Sequence, residues 1–392
     1  MEGNDIPGKQ QACKDRIHHH YKIVFMKKNL QPKFIARCAI VVVLSCFLSF
    51  PGKAQDPVFS QPYLAPVNLN PAATGAGDYD LRISAIYRRH WWTIPSQMNY
   101  MAFSIDKFIP TISSGIGLLA TRSNEGYLKK TGLYASYAYT VCAGTATAAD
   151  NGGMPKWFWT GGLQFGLAQT RIDYNKLVFA DELDIGGVIP GSYSAADPAI
   201  NSGKLFPDFS AGTFFNYSLN ENSRLLAGFS AHHINRPDES LTATGDTVRS
   251  QLPVRWGGNL MYTFTNPERI WSYSLAVLGY RQAQNNSYQA GIEVTQNEYD
   301  VSLGVWYRGS VNFRDMNTVA LTLSFNLEGR ENARDKVRVG IGHDSQVGNN
   351  NYSYTAGSSE IGVVWDHNTY DQSGDNPCKP RVNSQSACPI RL

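Results

Sequence analysis

The feature that most constrains this chain is a regular alternation of bulky apolar residues with small or polar ones. In Val319–Leu327 the residues at odd positions are all bulky and apolar, and those between them are Ala, Thr, Ser and Asn. The same design occurs in Phe209–Tyr217, Val301–Arg308 and Leu163–Leu167. A period of two residues is the pattern of a β-strand whose two faces meet different environments. The pattern therefore predicts an all-β protein.

Fourteen segments of about ten residues carry this pattern. A tilted transmembrane strand needs about 9–11 residues, and bacterial single-chain barrels have an even number of strands. We therefore predict a transmembrane antiparallel β-barrel of the outer-membrane type over residues 79–366, with fourteen strands, give or take two. The segments begin near Tyr79, Gln97, Ser114, Leu128, Phe158, Pro207, Ser223, Leu252, Trp271, Ser287, Asp300, Asn317, Lys336 and Gly357.

Two other architectures fit the sequence less well. A soluble β-sandwich also alternates, but its strands are usually shorter. An α/β enzyme needs stretches with helical periodicity, and none of convincing length appears. An apolar run of about 20 residues, which a transmembrane helix needs, is also absent after residue 54. The tryptophans favour the barrel, because aromatic residues form girdles at both membrane interfaces. All eight follow residue 54, most of them near the ends of predicted strands: Trp91, Trp92, Trp157, Trp159, Trp256, Trp271, Trp306 and Trp365.

Residues 1–54 have the properties of a leader. From Met26 the chain carries four basic residues, then an apolar run of twelve residues, then small residues before Gln55. That order is typical of a secretory signal peptide, and the apolar run is too short to span a membrane. We predict a signal peptide at residues 26–54, cleaved after Ala54. Residues 1–25 are interpreted as the product of a misassigned start codon.

Removal of this leader changes the charge of the chain. Residues 1–54 hold nine of the 35 basic and three of the 32 acidic residues, which leaves 26 basic against 29 acidic and a net charge of −3. No basic patch is expected to bind nucleic acid. Cys378 and Cys388, in a polar tail predicted at residues 367–392, are candidates for a disulfide. Cys142 is expected to pack within a strand.

Residues 55–78 precede the first predicted strand and contain four prolines, which disfavour a regular helix or strand. Apolar residues such as Phe59, Tyr63 and Leu64 lie between the prolines, and Asn68 suits a tight turn. We expect an irregular but ordered segment that acts as a plug or lid. The alternative, a poorly ordered tail, does not explain so many apolar residues.

Short motifs in and beyond this segment point to a known family. The segment contains Asp56-Pro57, Phe59-Ser60-Gln61, Asn68-Leu69-Asn70-Pro71-Ala72 and Gly75; YRRHWWTIP from Tyr87, LGVWYRG from Leu303 and SSEIGVVW from Ser358 follow. Together they resemble the PorP/SprF family of type IX secretion system membrane proteins of Bacteroidetes-type bacteria, over nearly all of residues 55–366. The polar extension from Asp366 to Leu392 departs from the family, whose members often end with a short basic segment and a Cys-Pro pair, which Cys388-Pro389 resembles.

The resemblance implies a component of the cell outer membrane that works with type IX secretion. It implies partners among the secretion machinery subunits or a secreted cargo protein such as a large adhesin, with a link to gliding motility in some members, besides the lipid of the outer membrane. No cofactor, metal or nucleic acid is implied. The residues expected to carry partner binding belong to the N-terminal signature: Phe59, Ser60, Gln61, Asn68, Asn70, Pro71 and Ala72.

The remaining polar motifs do not predict an enzyme. The sequence after the leader has no Gly-x-Ser-x-Gly and no His-Glu-x-x-His. His232-His233 is interpreted as a hydrogen-bond network at the barrel rim, because neighbouring strand residues point to opposite faces and cannot jointly bind a metal. Arg88-Arg89-His90 is interpreted as a membrane boundary or a contact to lipid phosphates. The acidic cluster Asp181–Asp184, in a long connection, is expected to be a solvated loop.

A second function stays open at this point. An outer-membrane channel or hydrophobic-solute transporter would have the same strand number and the same polar, glycine-rich inward faces. A lumen blocked by the N-terminal segment favours the secretion component, and an ion-conducting lumen favours the channel. The long connections, from Arg171 to Phe206, His233 to Gln251 and Val347 to Ala356, are expected to face the exterior or to fold into the barrel.

Overall fold

Fourteen antiparallel strands form one closed barrel in the structure, a computed structural model that describes residues 56–77, 79–94, 98–143, 157–172, 177–189, 191–192, 205–220, 222–240, 250–310, 317–328, 335–347 and 352–368. Each barrel strand pairs with the next one along the chain, and the first pairs with the last. The barrel strands are β1 (Leu81–His90), β2 (Met98–Ile109), β3 (Ser114–Glu125), β4 (Leu128–Ala143), β5 (Trp157–Ile172), β8 (Leu205–Asn220), β9 (Ser223–His232), β10 (Arg255–Thr265), β11 (Trp271–Gln282), β12 (Asn285–Gln296), β13 (Val301–Ser310), β14 (Thr318–Glu328), β15 (Asp335–Gln346) and β16 (Ser358–His367).

Short elements lie in the connections. A two-stranded hairpin of β6 (Leu183–Asp184) and β7 (Gly187–Val188) lies between β5 and β8. Helical turns lie at Pro110–Ile112, Ala180–Glu182 and Tyr352–Thr355, besides three turns near the N-terminus. None of the helices in the described ranges is long and apolar enough to span a bilayer.

The predicted strands agree with the observed ones. The number of fourteen is confirmed, and every strand begins within three residues of its predicted start. The largest difference is at β10, which was expected from Leu252 and begins at Arg255. Pro253 explains the delay, because proline has no N–H to donate to a ladder of hydrogen bonds.

The two faces of each strand differ as the alternation predicts. In β14 the side chains of Leu321 and Leu327 are 56% and 61% exposed on the outside, whereas Thr322 and Ser324 are buried inside. Outward apolar side chains recur on the other barrel strands and form a continuous apolar band. A monomeric soluble protein rarely exposes so large an apolar surface, whereas lipid accepts it. The chain is therefore an outer-membrane β-barrel.

The two ends of the barrel differ in their connections. β1 begins and β16 ends at the same end, called here the terminal end. The connections 173–204 and 233–254, and most of the other long ones, are at the opposite end, called here the long-loop end. Outer-membrane barrels keep their short turns in the periplasm and their long loops outside. The long-loop end is therefore the extracellular one.

Three expectations need correction. Trp306 does not belong to an interfacial girdle, because its side chain points into the lumen and is 2% exposed. Arg88 likewise points inward and is buried, while its neighbour Arg89 lies on the outside over the ring of Trp92. Cys142 is disulfide-bonded rather than only a packing residue. The predicted leader, and the tail beyond residue 368 with Cys378 and Cys388, lie outside the described residues.

Candidate functional site: the filled lumen

The N-terminal segment, residues 56–77, lies inside the barrel and extends from one end to the other. At the terminal end the backbone N–H of Gly75 donates to Asp106 Oδ2 of β2 at 2.7 Å. At the long-loop end the backbone N–H of Asp56 donates to Gln282 Oε1, in the last residue of β11, at 2.8 Å. The lumen between these two points is occupied by the chain itself.

Prolines give the segment its irregular path. The three turns Pro62–Leu64, Pro66–Leu69 and Pro71–Ala73 each begin at a proline, where the missing N–H costs nothing and the fixed φ suits a helical turn. Between the last two turns, Asn70 Oδ1 accepts from Ala72 N–H at 2.9 Å. Its Nδ2 donates to two carbonyl oxygens of β8 and β9 at 3.1 Å each. The side-chain amide of Asn70 thus stabilises the turn that follows it and holds that turn against strands β8 and β9.

Apolar side chains pack the segment against the wall. Phe59 stacks on Tyr100 of β2 with ring centroids 4.5 Å apart, and Tyr63 packs against Trp306 at 6.0 Å. Leu64 is fully buried in the same cluster. Burial of a side chain of this size contributes about 1.5–3 kcal/mol. These contacts lie on different sides of the barrel, so the segment is held from several directions.

Glycines at inward positions make room for this packing. Gly162 of β5 and Gly212 of β8 are paired across the two strands. A methyl group on Gly162 would overlap the backbone of Pro71 and Ala72, and one on Gly212 would overlap the side chain of Asn70. The close approach of the segment to these strands therefore depends on glycine.

Replacing Gly162 by alanine should lower stability by about 1–3 kcal/mol, the usual cost of overpacking a filled interior. Gly161 is the matched control, because it is the adjacent residue on the outside and a methyl group there meets only the Trp159 ring at 3.7 Å. Urea unfolding of the two variants in detergent would measure the difference. Equal unfolding midpoints for Gly162→Ala and Gly161→Ala would contradict the packing of the segment on β5.

A buried charge cluster, called here the lumen ion cluster, holds the first part of the segment. It consists of Arg88 of β1, Arg308 of β13, Asp344 of β15 and Glu360 of β16, around Ser60. Arg88 forms ion pairs with Asp344 and, at 3.2 Å, with Glu360. Arg308 lies 3.3 Å from Asp344. Two positive and two negative charges therefore neutralise one another at sites that are buried or nearly so.

The segment completes this cluster through its backbone and one hydroxyl. Ser60 Oγ donates to Asp344 at 2.7 Å, and the N–H groups of Ser60 and Gln61 donate to the two oxygens of Glu360 at 2.7 Å each. Arg308 donates to the carbonyl oxygen of Phe59 at 3.2 Å. Without the segment these bonds would be missing from groups that are buried, which is costly in a low-dielectric interior.

A second group, called here the rim cluster, holds the tip of the segment at the long-loop end. The carboxylate of Asp56 contacts His233 Nε2 at 2.7 Å and Lys130 at 3.3 Å, and it accepts from Gln282 at 3.0 Å. The other ring nitrogen of His233 contacts Asp208 at 2.8 Å. The rim network predicted for the histidine pair is present. The two rings nevertheless both face inward, because a left-handed backbone at His233, with φ of 58°, turns its ring into the lumen.

The rim cluster shifts the pKa values of its two non-strand members in opposite directions. Burial alone would raise the pKa of Asp56, but Lys130 and His233 hold it well below its usual value. Burial alone would lower the pKa of His233, but the carboxylates of Asp56 and Asp208 raise it above its usual value. Both shifts favour the charged pair in the folded state.

The rim cluster should stabilise the protein most in a mildly acidic window. The contribution of Asp56 is complete above about pH 3.8 and is lost as pH falls through its lowered pKa. That of His233 is complete below about pH 6.5 and is lost as pH rises through its raised pKa. Between these values His233→Gln should cost about 1–3 kcal/mol in urea unfolding, and the cost should fall at higher pH. A cost that grows as the pH rises above 7 would refute this assignment.

A third contact closes the terminal end. Arg82 forms an ion pair with Asp106 at 3.0 Å and donates to the carbonyl oxygen of Ala73 at 2.9 Å. Tyr79 donates to Asp106 at 2.8 Å, and the guanidinium of Arg82 lies 4.5 Å from the centre of the Tyr79 ring. The segment is thus fixed by ionic groups at three places: at Asp56, at Ser60 and near its junction with β1.

The structure brings all the predicted signature residues together in the lumen. Phe59, Ser60, Gln61, Asn70, Pro71 and Ala72 are buried, and Asn68 is partly buried, with Oδ1 accepting from Tyr100 at 2.9 Å. Partner binding by these residues stays a prediction. Arg308, Asp344 and Glu360 were not foreseen. Their signal in the sequence is a charge at an inward position of an alternating strand.

Comparisons with known proteins agree with this architecture. The sequence profile of the family described as type IX secretion system membrane protein PorP/SprF matches residues 52–365. The chain belongs to this family. Its members are secretion-system membrane components and not a known enzyme family. The matched range begins just before the N-terminal segment and ends within the last strand, so the family includes both the barrel and the residues that fill it. A search of curated protein sequences finds no significant match.

Solved outer-membrane proteins are similar in fold alone. The toluene transporter TodX of Pseudomonas putida is 10% identical, with a TM-score of 0.42 over 81% of this chain and 96% of that chain. Omp33 of Acinetobacter baumannii is 8% identical, with a TM-score of 0.36 over 75% and 100% of the two chains. A FadL homologue of Pseudomonas aeruginosa is 12% identical, with a TM-score of 0.36 over 76% and 91%.

Proposed function

We propose that this family member is a non-catalytic component of the type IX secretion system that supports export or surface attachment of a cargo protein, such as a large adhesin. In gliding species that cargo would serve motility. The N-terminal segment acts as a plug that keeps the lumen closed, and the extracellular end offers the surface on which cargo is held. The observation that carries the proposal is the occupation of the lumen, from Asp56 to Gly75, by the family signature itself.

The arrangement of the buried charges supports a structural role. Arg88, Arg308, Asp344 and Glu360 neutralise one another and bind the segment. A catalytic site needs a cleft in which a substrate reaches its acids and bases. Here the signature residue Ser60 occupies the place where a substrate would contact these groups.

The long-loop end supports the binding of a protein partner. The hairpin of β6 and β7 carries Ile185 and Val188, and Ile185 is fully exposed and Val188 more than half exposed. The hairpin is ordered by backbone bonds, including Ile189 N–H to the carbonyl oxygen of Glu182 at 2.9 Å. Ordered apolar side chains that face water are typical of interaction sites. We assign cargo contact to this hairpin and contact with machinery subunits to the periplasmic, terminal end.

The second candidate function is a channel for hydrophobic solutes. Such a channel would need an apolar path through the barrel. An apolar cavity of about 20 Å³ lies between the segment and the wall, lined by Leu226, Met261, Leu278 and Trp306. That is space for roughly one water-sized molecule, so a solute would enter only after the segment moved. The filled lumen therefore favours the secretion component.

Deletion of the gene tests the proposal. The proteins released into the medium and those displayed on the surface would be compared with those of the parent strain by mass spectrometry. Loss of one or a few large surface proteins would identify a dedicated cargo partner, and loss of all type IX clients would identify a part of the core machinery. An unchanged profile would refute the secretion function and favour the solute channel.

Complementation locates the cargo contact. The deletion strain would receive either the wild-type gene or a gene encoding Ile185→Asp and Val188→Asp. The matched control combines Asn220→Asp, in the last residue of β8, with Asn222→Asp, in the turn that follows it at the terminal end. Surface display should be lost with the hairpin variant and retained with the control.

A further inference from the structure

A polar cavity of about 60 Å³, called here the rim cavity, lies inside the barrel at the long-loop end. The N-terminal segment lines one side with Asp56, Pro57 and Asn68, and the wall of β2 to β5 and β8 to β10 lines the other. The cavity is not sealed, because Lys130 and Asp56, which line it, have side chains that are 20% and 15% exposed. Its volume suits about four to six water-sized groups.

Three polar atoms of the residues that line this cavity have no hydrogen-bond partner among the described residues. They are Gln164 Nε2, Arg255 Nε and Asp208 Oδ1. All three residues are more than nine-tenths buried. A buried polar group without a partner is costly, and more so when it is charged. Two donors and one acceptor therefore indicate a ligand that supplies the opposite groups.

Strand register places these groups near one another on the wall. Gln164 of β5 is paired with Ser210 of β8, and Arg255 of β10 is paired with His232 of β9. Strands β8 and β9 are themselves neighbours. Asp208 precedes Ser210 by two residues and faces the lumen from the same side of β8. The two donors and the acceptor thus lie on four adjacent strands around one cavity.

Arg255 is the cation that lacks a bonded carboxylate among the described residues. Asp56 is bonded to Lys130 and His233, and Asp208 is bonded to His233 through its other oxygen, Oδ2. A guanidinium forms strong, charge-assisted hydrogen bonds with a carboxylate. The group that suits Arg255 is therefore a carboxylate, whereas Asp208 Oδ1 requires a donor.

The charges around the cavity favour a ligand without net charge. Three carboxylates and three basic groups lie in or beside it, with the histidine in its charged form: Asp56, Asp208, Glu239, Lys130, His233 and Arg255. A zwitterion leaves this balance unchanged. A simple anion such as phosphate would place further negative charge close to Asp56 and Asp208, which is unfavourable in a buried place.

We propose that the rim cavity binds a small zwitterionic amino acid such as glycine or alanine. Its carboxylate accepts from Arg255, and its ammonium group donates to Asp208 Oδ1. Gln164 Nε2 donates to the second carboxylate oxygen or to a water beside it. These amino acids have about five or six non-hydrogen atoms, which suits the volume. Because the N-terminal segment lines the same cavity, the bound amino acid holds the tip of the segment against the wall.

The test is isothermal titration calorimetry of the purified protein in a neutral detergent, with glycine and alanine at millimolar concentration. The site variant is Arg255→Met, which keeps the length of the side chain and removes its charge. It should bind about tenfold or more weakly, because the charge-assisted bonds are lost. The matched control is Arg281→Met, since Arg281 is exposed on the outside of the neighbouring strand β11 and should not affect binding.

Two partial ligands test the pairing of the groups. Acetate lacks the ammonium group and methylamine lacks the carboxylate, so each should bind the wild-type protein about tenfold more weakly than glycine. Gln164→Met, which keeps the length of the side chain and removes its amide, should weaken glycine binding by a smaller factor. Equal binding of acetate and glycine, or unchanged binding by Arg255→Met, would overturn the proposal. Absence of binding by every probe would also overturn it, because ordered water alone would then satisfy the three atoms.

Urea unfolding separates a ligand site from a structural role of Arg255. Glycine should raise the unfolding midpoint of the wild-type protein and of Arg281→Met but not that of Arg255→Met, because only a ligand that binds the folded state stabilises it. Without glycine, Arg255→Met should not lower the midpoint, since it removes a buried charge whose Nε has no partner among the described residues. A lower midpoint without glycine, together with equal stabilisation of all three proteins by glycine, would assign Arg255 to the structure of the barrel and refute the site.

Discussion

A barrel that lacks residues 56–77 will conduct ions across a planar lipid bilayer, whereas the intact protein will stay closed. The reason is that the N-terminal segment fills the lumen between Asp106 at one end and Gln282 at the other. A barrel of more than eight strands has a lumen wider than its own inward side chains can fill, so removal of the segment should raise the conductance by about tenfold or more. Single-channel recording on both proteins measures this directly.

Two controls keep this experiment interpretable. Deletion of residues 183–188 removes the hairpin of β6 and β7 and should leave the barrel closed, because the hairpin lies in a connection outside the strands. Slow migration of unheated samples on a denaturing gel would show that each barrel is folded. Should a folded barrel without the segment stay closed, the segment is not what blocks the lumen, and the assignment as a plug fails.

Replacement of Arg88 by leucine should lower the free energy of unfolding by about 3–5 kcal/mol, the cost of leaving buried charges without their partner. Arg88 is 2% exposed and pairs with both Asp344 and Glu360. Without it, Arg308 faces two carboxylates alone, and the cluster keeps a net negative charge. Unfolding in urea, followed by tryptophan fluorescence in detergent micelles, measures the loss.

The adjacent residue is the matched control for this substitution. Arg89 has the same side chain in the same strand but lies on the outside over the Trp92 ring. Arg89→Leu should therefore cost about 1 kcal/mol or less, the value of an exposed cation–π contact. Combining Arg88→Leu with Glu360→Gln should recover part of the loss, because it restores the balance of charge. Equal costs for Arg88→Leu and Arg89→Leu would show that the lumen ion cluster does not stabilise the barrel.

The sequence predicted much of the barrel because the signal for a membrane strand is local. Within each strand of about ten residues, bulky apolar residues alternate with small or polar ones, and this alternation alone indicates which side chains face lipid and which face the lumen. The prediction that Trp306 belongs to an interfacial girdle is wrong. It was based on the preference of tryptophan for the membrane interface, and that preference does not indicate whether a particular side chain points outward or into the lumen. Its odd-numbered neighbours Val305 and Tyr307 point outward, so the alternation itself already indicated that Trp306 points inward.

The candidate site was predicted only in part, for a different reason. The prolines and apolar residues of the N-terminal segment indicated an ordered, irregular piece, but nothing local indicates what it touches. Ser60 meets Glu360 and Asp344 across 300 and 284 residues of chain. His233 was misread because alternation holds only within a strand, and β9 ends one residue earlier, at His232. The contacts of Ser60 depend on the register of distant strands, and those of His233 depend on its left-handed backbone.

The sequence alone determined the class of fold, the number of strands, the face of most side chains and the resemblance to the family. These properties depend on the two-residue hydrophobic period of each strand and on short motifs, and both consist of neighbouring residues in the sequence. Only the tertiary structure decided that the N-terminal segment fills the lumen, and that Arg88 and Arg308 both pair with Asp344 beside Ser60. Those groupings arise because barrel closure and strand register bring distant residues side by side.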